Sequence, residues 1–326
     1  MNKMNGQKKK LNLDIILNNK ALIILLILCA GCGIASPVFL TPGNLMNVLR
    51  QISASAIMGI GFTCIIASGN LDLSVGTMLG MLGVIMALIS KTGMPFPAVI
   101  LLCVLVGAFC GYLNGFIGVK FRLPLFIVTL ATGQVFKGTC YLLSNTSPIS
   151  GLPQAFKTVG QGYAGPVPIP ILIMLAVGVI IYVLLNKTAF GRYAIATGGN
   201  REAARTSGIN VQAVTIGVYM VMGICTAIAA MIMTGRAASA QPAAGQGMEM
   251  DAIAAVVIGG TSLYGGSGKV VGTVFGCMIV GVINNALNLA GVDSNWQLVA
   301  KGMLILLAVM MDVFSANYFN KKLKSA

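Results

Sequence analysis

PIPILIMLAVGVIIYVLLN (168–186), KTAFGRYAIATGGNREAARTSGINV (187–211) and QAVTIGVYMVMGICTAIAAMIMT (212–234) follow one another without a break. The flanking runs hold no charged residue. Each extends for roughly 20 residues, the length at which a helix crosses a hydrocarbon layer of about 30 Å. Backbone in lipid has to satisfy its own polar groups, so it spans as a helix or a closed barrel. Runs this long exclude the strands of about ten alternating residues from which barrels are built. The middle segment differs in kind. Asn200 is a good helix N-cap, Glu202 falls in the first turn where the helix dipole favours a carboxylate, and Gly208 supplies a stop. Together they outline one short helix of about two turns, in which small Ala203 and Ala204 lie between charged neighbours. It reads either as a solvated loop helix or as a docking helix for a soluble partner.

Composition extends this pattern to the whole chain of 326 residues. Hydrophobic residues make up 57% and charged residues 9%, with a mean hydropathy of +0.90. No aqueous fold hides that much apolar surface, so the fold class is an all-α polytopic membrane protein. Apolar runs give about ten transmembrane helices, at 21–40, 45–67, 72–90, 97–119, 124–143, 168–186, 212–234, 251–265, 270–290 and 297–315. The third, eighth and ninth are glycine-rich and are expected to be short, broken or re-entrant. With both termini cytoplasmic, fifteen of the 21 basic residues fall inside, so the net charge of +14 reads as a topology signal rather than nucleic-acid binding. The expected organisation is a cytoplasmic tail (1–20), one membrane domain (21–315) and a cytoplasmic tail (316–326). Within the domain, 187–211 is a cytoplasmic loop and 144–167 an external one. The first run is expected to be an uncleaved span rather than a signal peptide, since it is long and no A-x-A site follows. An echo between Val75-Gly76-Thr77 with Gly80 and Val271-Gly272-Thr273 with Gly276 admits a structural repeat.

Chemistry-bearing residues are sparse. All eight cysteines lie in apolar segments, where packing is their ordinary role. The chain has no histidine, which removes His-based metal sites and Ser-His-Asp triads, and neither a metal site nor a catalytic residue is assigned. Gly265-Gly266-Ser267-Gly268-Lys269 fails as a phosphate loop because Val270 follows the lysine, so no nucleotide-hydrolysing motif is present. Asp72, with Ser74, either caps the helix that starts near Val75 or forms an ion site. Asn284, Asn285 and Asn288 either bond neighbouring helices or line a hydrated path, where amides would suit the hydroxyls of a neutral polyol. Asn70, Asn114, Gln134 and Gln241 are further pathway candidates.

Four segments resemble the membrane-spanning permease subunits of bacterial ATP-binding-cassette sugar importers, the ribose-type monosaccharide group above all. They are Asp72-Leu73-Ser74-Val75-Gly76, Gly191-Arg192-Tyr193 through Val211, Ala240-Gln241-Pro242 through Leu263, and Asn284-Asn285-Ala286-Leu287-Asn288-Leu289. The likeness covers almost the whole chain; Asn70 departs from it, standing where the family usually has glycine. The resemblance implies a coupling helix within 191–208 that sits in a groove of a separate ATPase subunit. Its residues here are Gly191, Arg192, Gly198, Asn200, Glu202, Ala203, Ala204, Arg205, Ser207 and Gly208. It further implies a second copy of the chain, an extracytoplasmic sugar-binding protein, ATP and Mg held by the ATPase partner, no cofactor on this chain, and residence in the bacterial cytoplasmic (inner) membrane. The competing expectation is an ion-coupled secondary transporter, which would need Asp72 or Asp251 as a buried ion site.

Overall fold

The computed structural model describes residues 20–324. Residues 1–19 of the expected N-terminal tail, and 325–326 of the C-terminal one, lie outside the described residues. Thirteen α-helices occur among the described residues. In chain order they begin with α1 (Lys20–Ala35), α2 (Pro42–Ala67), α3 (Val75–Ser90), α4 (Phe96–Lys120), α5 (Leu125–Ser144) and α6 (Gln154–Gln161). The small hairpin β1 (Tyr163–Ala164) and β2 (Val167–Pro168) precedes α7 (Ile169–Lys187), α8 (Ala189–Gly199), α9 (Arg201–Thr206) and α10 (Val211–Ala237). The chain closes with α11 (Met248–Ile258), α12 (Val270–Leu289) and α13 (Ser294–Lys324).

Each of the ten apolar runs overlaps a helix, but the helices differ in reach. Among the described residues six are long and apolar enough to cross a membrane: α2, α4, α5, α7, α10 and α12. Helix α3 has 16 residues and α11 only 11, about 24 and 16 Å at 1.5 Å per residue. The third and eighth runs are thus short, but α3 is not broken: it runs continuously through Gly76, Gly80 and Gly83. The ninth corrects the expectation: α12 runs unbroken for 20 residues, its glycines spent on close packing. A Cβ at Gly276 would lie 1.9 Å from the Ala255 carbonyl oxygen of α11. The 144–167 loop is also more ordered than its composition implied. It contains α6, whose Phe156 is buried with its ring edge-on to Phe96 at 4.9 Å.

Helix α2 is the axis of the molecule. Its positions 52–67, Ser55 apart, are buried, with α7, α10, α11 and α12 packed around it. Since lipid tails are as apolar as leucine, helices in a bilayer associate through close fit rather than hydrophobic transfer. The α4–α10 seam shows this. Gly107 and Gly111 of α4 face the Gly223 and Tyr219 carbonyls of α10, and a Cβ at Gly111 would sit 2.1 Å from Tyr219 O.

The echoed Val-Gly-Thr segments belong to larger matching units. Helix α2 ends on Gly69 (φ 74°) and α11 on Gly260 (φ 87°). Asn70 N donates to Ile65 O at 3.1 Å and Thr261 N to Val256 O at 3.2 Å, the same left-handed cap at both ends. Helices α3 and α12 then follow.

Candidate functional site

The polar segment 187–211 folds as two short helices. Thr188 caps α8, its hydroxyl accepting from Gly191 N at 3.3 Å, and Gly191 packs so tightly that a Cβ there would meet Leu185 O at 2.0 Å. Asn200, extended at φ −156°, caps α9 by accepting from Ala203 N at 2.9 Å. Gly208 (φ 85°) ends it, with Ile209 N donating to Ala204 O at 3.1 Å. Ala204 is buried, whereas Arg192, Arg201, Glu202, Ala203, Arg205 and Ser207 are exposed. Arg205 pairs with Glu202 one turn away, its Nε donating to Oε2 at 3.1 Å, and this partner holds the Glu202 carboxyl below its ordinary range. One small residue therefore anchors α9 while its polar face stands free of the other described residues.

That helix is joined to the core through glycine. A Cβ at Gly198 would lie 2.0 Å from Ala67 O, the last turn of α2. A Cβ at Gly265 would in turn lie 2.7 Å from Gly198 O, and Gly266 N donates to Ala67 O at 3.0 Å. At Gly198, Gly265 and Gly266 the end of α8, the end of α2 and the loop between α11 and α12 approach one another backbone to backbone.

Asp72 is fully buried near this junction. Its Oδ1 accepts from Ser74 N at 2.9 Å and Ser74 Oγ at 2.6 Å, and Asn114 Nδ2 donates to Ser74 Oγ at 2.9 Å. The expected cap is corrected in detail: Ser74 makes no capping bond of its own to α3, and Asp72 tightens the turn before the helix instead. Tyr219 Oη donates to Leu71 O at 2.7 Å, tying the same turn to α10. Asn70 bonds back to Ser68, donating to its carbonyl at 3.1 Å and its hydroxyl at 2.9 Å.

The polar cavities lie toward the opposite end of the molecule, where α6 packs. One, of about 190 Å³, is lined by Gln51, Ser55, Arg236, Asp251, Asn284 and Lys301. A second, of about 490 Å³, adjoins it through shared Met233, Arg236 and Met248, and adds Gln241 and Gln246. Lys301 Nζ donates to Asp251 Oδ2 at 2.8 Å in a part-buried pair. Asn284 Oδ1 is buried and has no hydrogen-bond partner among the described residues. The lining thus offers amides, a guanidinium and an ion pair to a solute carrying hydroxyls.

Of the eight pathway candidates, Gln241 and Asn284 line these cavities. Asn285 exchanges 3.0 Å bonds with Asn44, and Asn288 accepts from Gln297 at 2.9 Å, so both join helices to their neighbours. Gln134 is exposed on α5. Asn70, Asp72 and Asn114 belong to the glycine-junction end and line neither cavity. Sequence reasoning missed the site roles of Arg236, Asp251 and Lys301. Their signal was present: charged side chains at the ends of apolar runs, read only as topology or as a possible ion ligand. Among the described residues, no group of three His, Cys, Asp or Glu side chains is placed to hold a metal.

Comparison with known proteins adds a second line. A family model described as branched-chain amino acid transport system / permease component matches residues 44–309. The chain is 42% identical over 309 residues to a ribose import permease protein of Bacillus subtilis (strain 168), an alignment covering 94% of this chain and 96% of that one. It is 42% identical over 301 residues to a ribose import permease protein of Escherichia coli (strain K12), covering 91% and 94%. A D-allose transport system permease protein of the same strain is 36% identical over 291 residues, or 89% of each chain. No solved structure matches the chain.

Proposed function

The chain belongs to this family of transport-system permease components, together with the ribose import permeases, and on that footing we propose that it forms the translocation pathway for ribose or a closely similar monosaccharide. It is a multi-pass protein of the inner membrane and a subunit of an ATP-binding-cassette sugar importer. The family's description names branched-chain amino acids; sugar is the better reading because the relatives at 42% and 36% identity are ribose and D-allose permeases.

The observation that carries the mechanism is α9, exposed, capped at both ends and joined to the core by bare backbone. We assign it as the element that seats in a cytoplasmic ATPase subunit, with Glu202, Ala203 and Arg205 on the docking face. Gly191, Gly198, Asn200 and Gly208 set its shape, and Arg192 and Ser207 flank it. In this reading both termini and the 187–211 segment are cytoplasmic, as the positive-inside distribution supports, and about ten helices are embedded in the membrane. The polar cavities then open to the outer side, where an extracytoplasmic binding protein delivers the sugar. Closure of the ATPase pair, which holds ATP and Mg while this chain binds no cofactor, would displace α9. The rigid glycine junction would pass that displacement to α2 and to the 259–269 loop, switching the pathway between outward- and inward-open states. A second copy of the chain completes the pathway.

The test is uptake of labelled ribose by cells lacking the chain and by cells with it restored, in the presence of a protonophore with ATP maintained. Restored uptake that survives the protonophore and resists competition by leucine is the expected result. Uptake that collapses with the ion gradient would replace this reading with an ion-coupled carrier.

A further inference from the structure

At the α9 end, the starts of α1 and α12 and the end of α7 surround a cavity of about 390 Å³ lined by Lys20, Tyr182, Asn186, Gly259 and Lys269. Two lysines converge over the turn that ends α11. Lys20 Cε lies 3.5 Å, and Lys269 Nζ 3.9 Å, from where a Cβ would stand at Gly260. Neither forms an ion pair among the described residues. The cavity does not end there. Tyr182, Val270, Val271 and Phe275 also line a second cleft of about 330 Å³ that runs along α7 and α12. Its wall is almost wholly apolar, with Met174, Val179 and Val274 among its other lining residues. Val179 and Val271 remain 63% and 56% exposed, so the cleft lies open on the side of the bundle.

A basic recess at the level where helices begin, continuous with an apolar trough along two spanning helices, has the polarity of a phospholipid. We propose that this cleft is a binding site for an anionic phospholipid of the phosphatidylglycerol type. The phosphate sits between the Lys20 and Lys269 ammonium groups with the Asn186 amide beside it, and one acyl chain lies along α7 and α12 past Val271. Charge and shape select this occupant. A free phosphate would leave the trough unfilled, and a zwitterionic lipid brings its own cation to the two lysines. Residues 1–19 carry Lys3, Lys8, Lys9 and Lys10 against the single acid Asp14, so that segment is the wrong sign to neutralise the recess.

The experiment is lipid retention by the full chain, purified in mild detergent and read by native mass spectrometry. The probes are dioleoylphosphatidylglycerol, dioleoylphosphatidylcholine and inorganic phosphate. The protein is expected to retain phosphatidylglycerol but not phosphatidylcholine, with no displacement by phosphate. Lys20→Gln with Lys269→Gln should lower retention about thirtyfold. Val271→Trp, which fills the trough and leaves both charges, should lower it as well. Equal retention of the two lipids, or unchanged retention in both variants, would overturn the site. Displacement by inorganic phosphate would make it an anion site without a lipid. Retention that appears only when residues 1–19 are deleted would assign the cleft to the chain's own N-terminal segment.

Discussion

Asn200 and Glu202 act locally, and their effects separate cleanly. Asn200→Ala removes the side-chain acceptor for Ala203 N, at a cost of about 1 kcal/mol to a helix of two turns. Ribose uptake should fall severalfold and be recovered by Asn200→Asp, which keeps the acceptor. Glu202→Arg reverses the charge on the proposed docking face; loss of ATPase co-purification and of uptake is expected, with membrane insertion intact, whereas undiminished uptake would remove α9 from the proposed coupling role. Because Arg205 lowers the Glu202 pKa, the carboxylate stays charged down through its ordinary titration range, and its charge is lost only as pH falls through the lowered value. Coupling should therefore be flat with pH around neutrality. Asp251 and Lys301 behave differently, being part-buried. Asp251→Asn leaves an ammonium without its partner, an effect between the ~0–1 kcal/mol of an exposed pair and the ~3–5 kcal/mol of a buried one. The thermal midpoint in detergent should drop, and Asp251→Asn with Lys301→Gln should restore part of it.

At the scale of elements, fit between helices decides what substitutions do. Gly111→Leu would force α4 away from the Tyr219 carbonyl of α10, and loss of monodisperse protein on size exclusion is expected. Gly138→Ala on α5 meets nothing within 4 Å and should behave as the unsubstituted chain. The glycine junction gives a sharper comparison. A Cβ at Gly198 would press on Ala67 O at 2.0 Å, but one at Gly199 would find its nearest atom at 3.7 Å. Gly198→Ala should uncouple ATP hydrolysis from uptake, and Gly199→Ala should not. Sequence alone showed why α9 exists, since Asn200, Glu202 and Gly208 lie within nine positions and cap chemistry is local. It could not show the junction, because Ala67, Gly198 and Gly265 come from distant segments and have no distinguishing side chains. The same limit hid the partnership of Asp251 with Lys301, 50 positions apart. Glycine content misjudged α12 for a related reason: Gly272 and Gly276 could mark a break or a close contact, and only the position of α11 decides.

For the whole molecule, the architecture divides labour between two ends. The amide- and charge-lined cavities lie at the α6 end, and close backbone contacts join α8, α2 and the α11–α12 loop at the α9 end, with α2 running between them. Apolar run length and charge bias were legible because the bilayer imposes them on every span; the cavity lining was not, since it is assembled from α2, α10, α11, α12 and α13. The most direct test is made in proteoliposomes containing this chain, its ATPase partner and the sugar-binding protein, with ion gradients collapsed. Labelled ribose should accumulate when ATP is supplied on the α9 side and not otherwise, and Glu202→Arg should abolish that accumulation. Accumulation driven by an imposed ion gradient without ATP, or ATP-driven accumulation undiminished by Glu202→Arg, would contradict the mechanism.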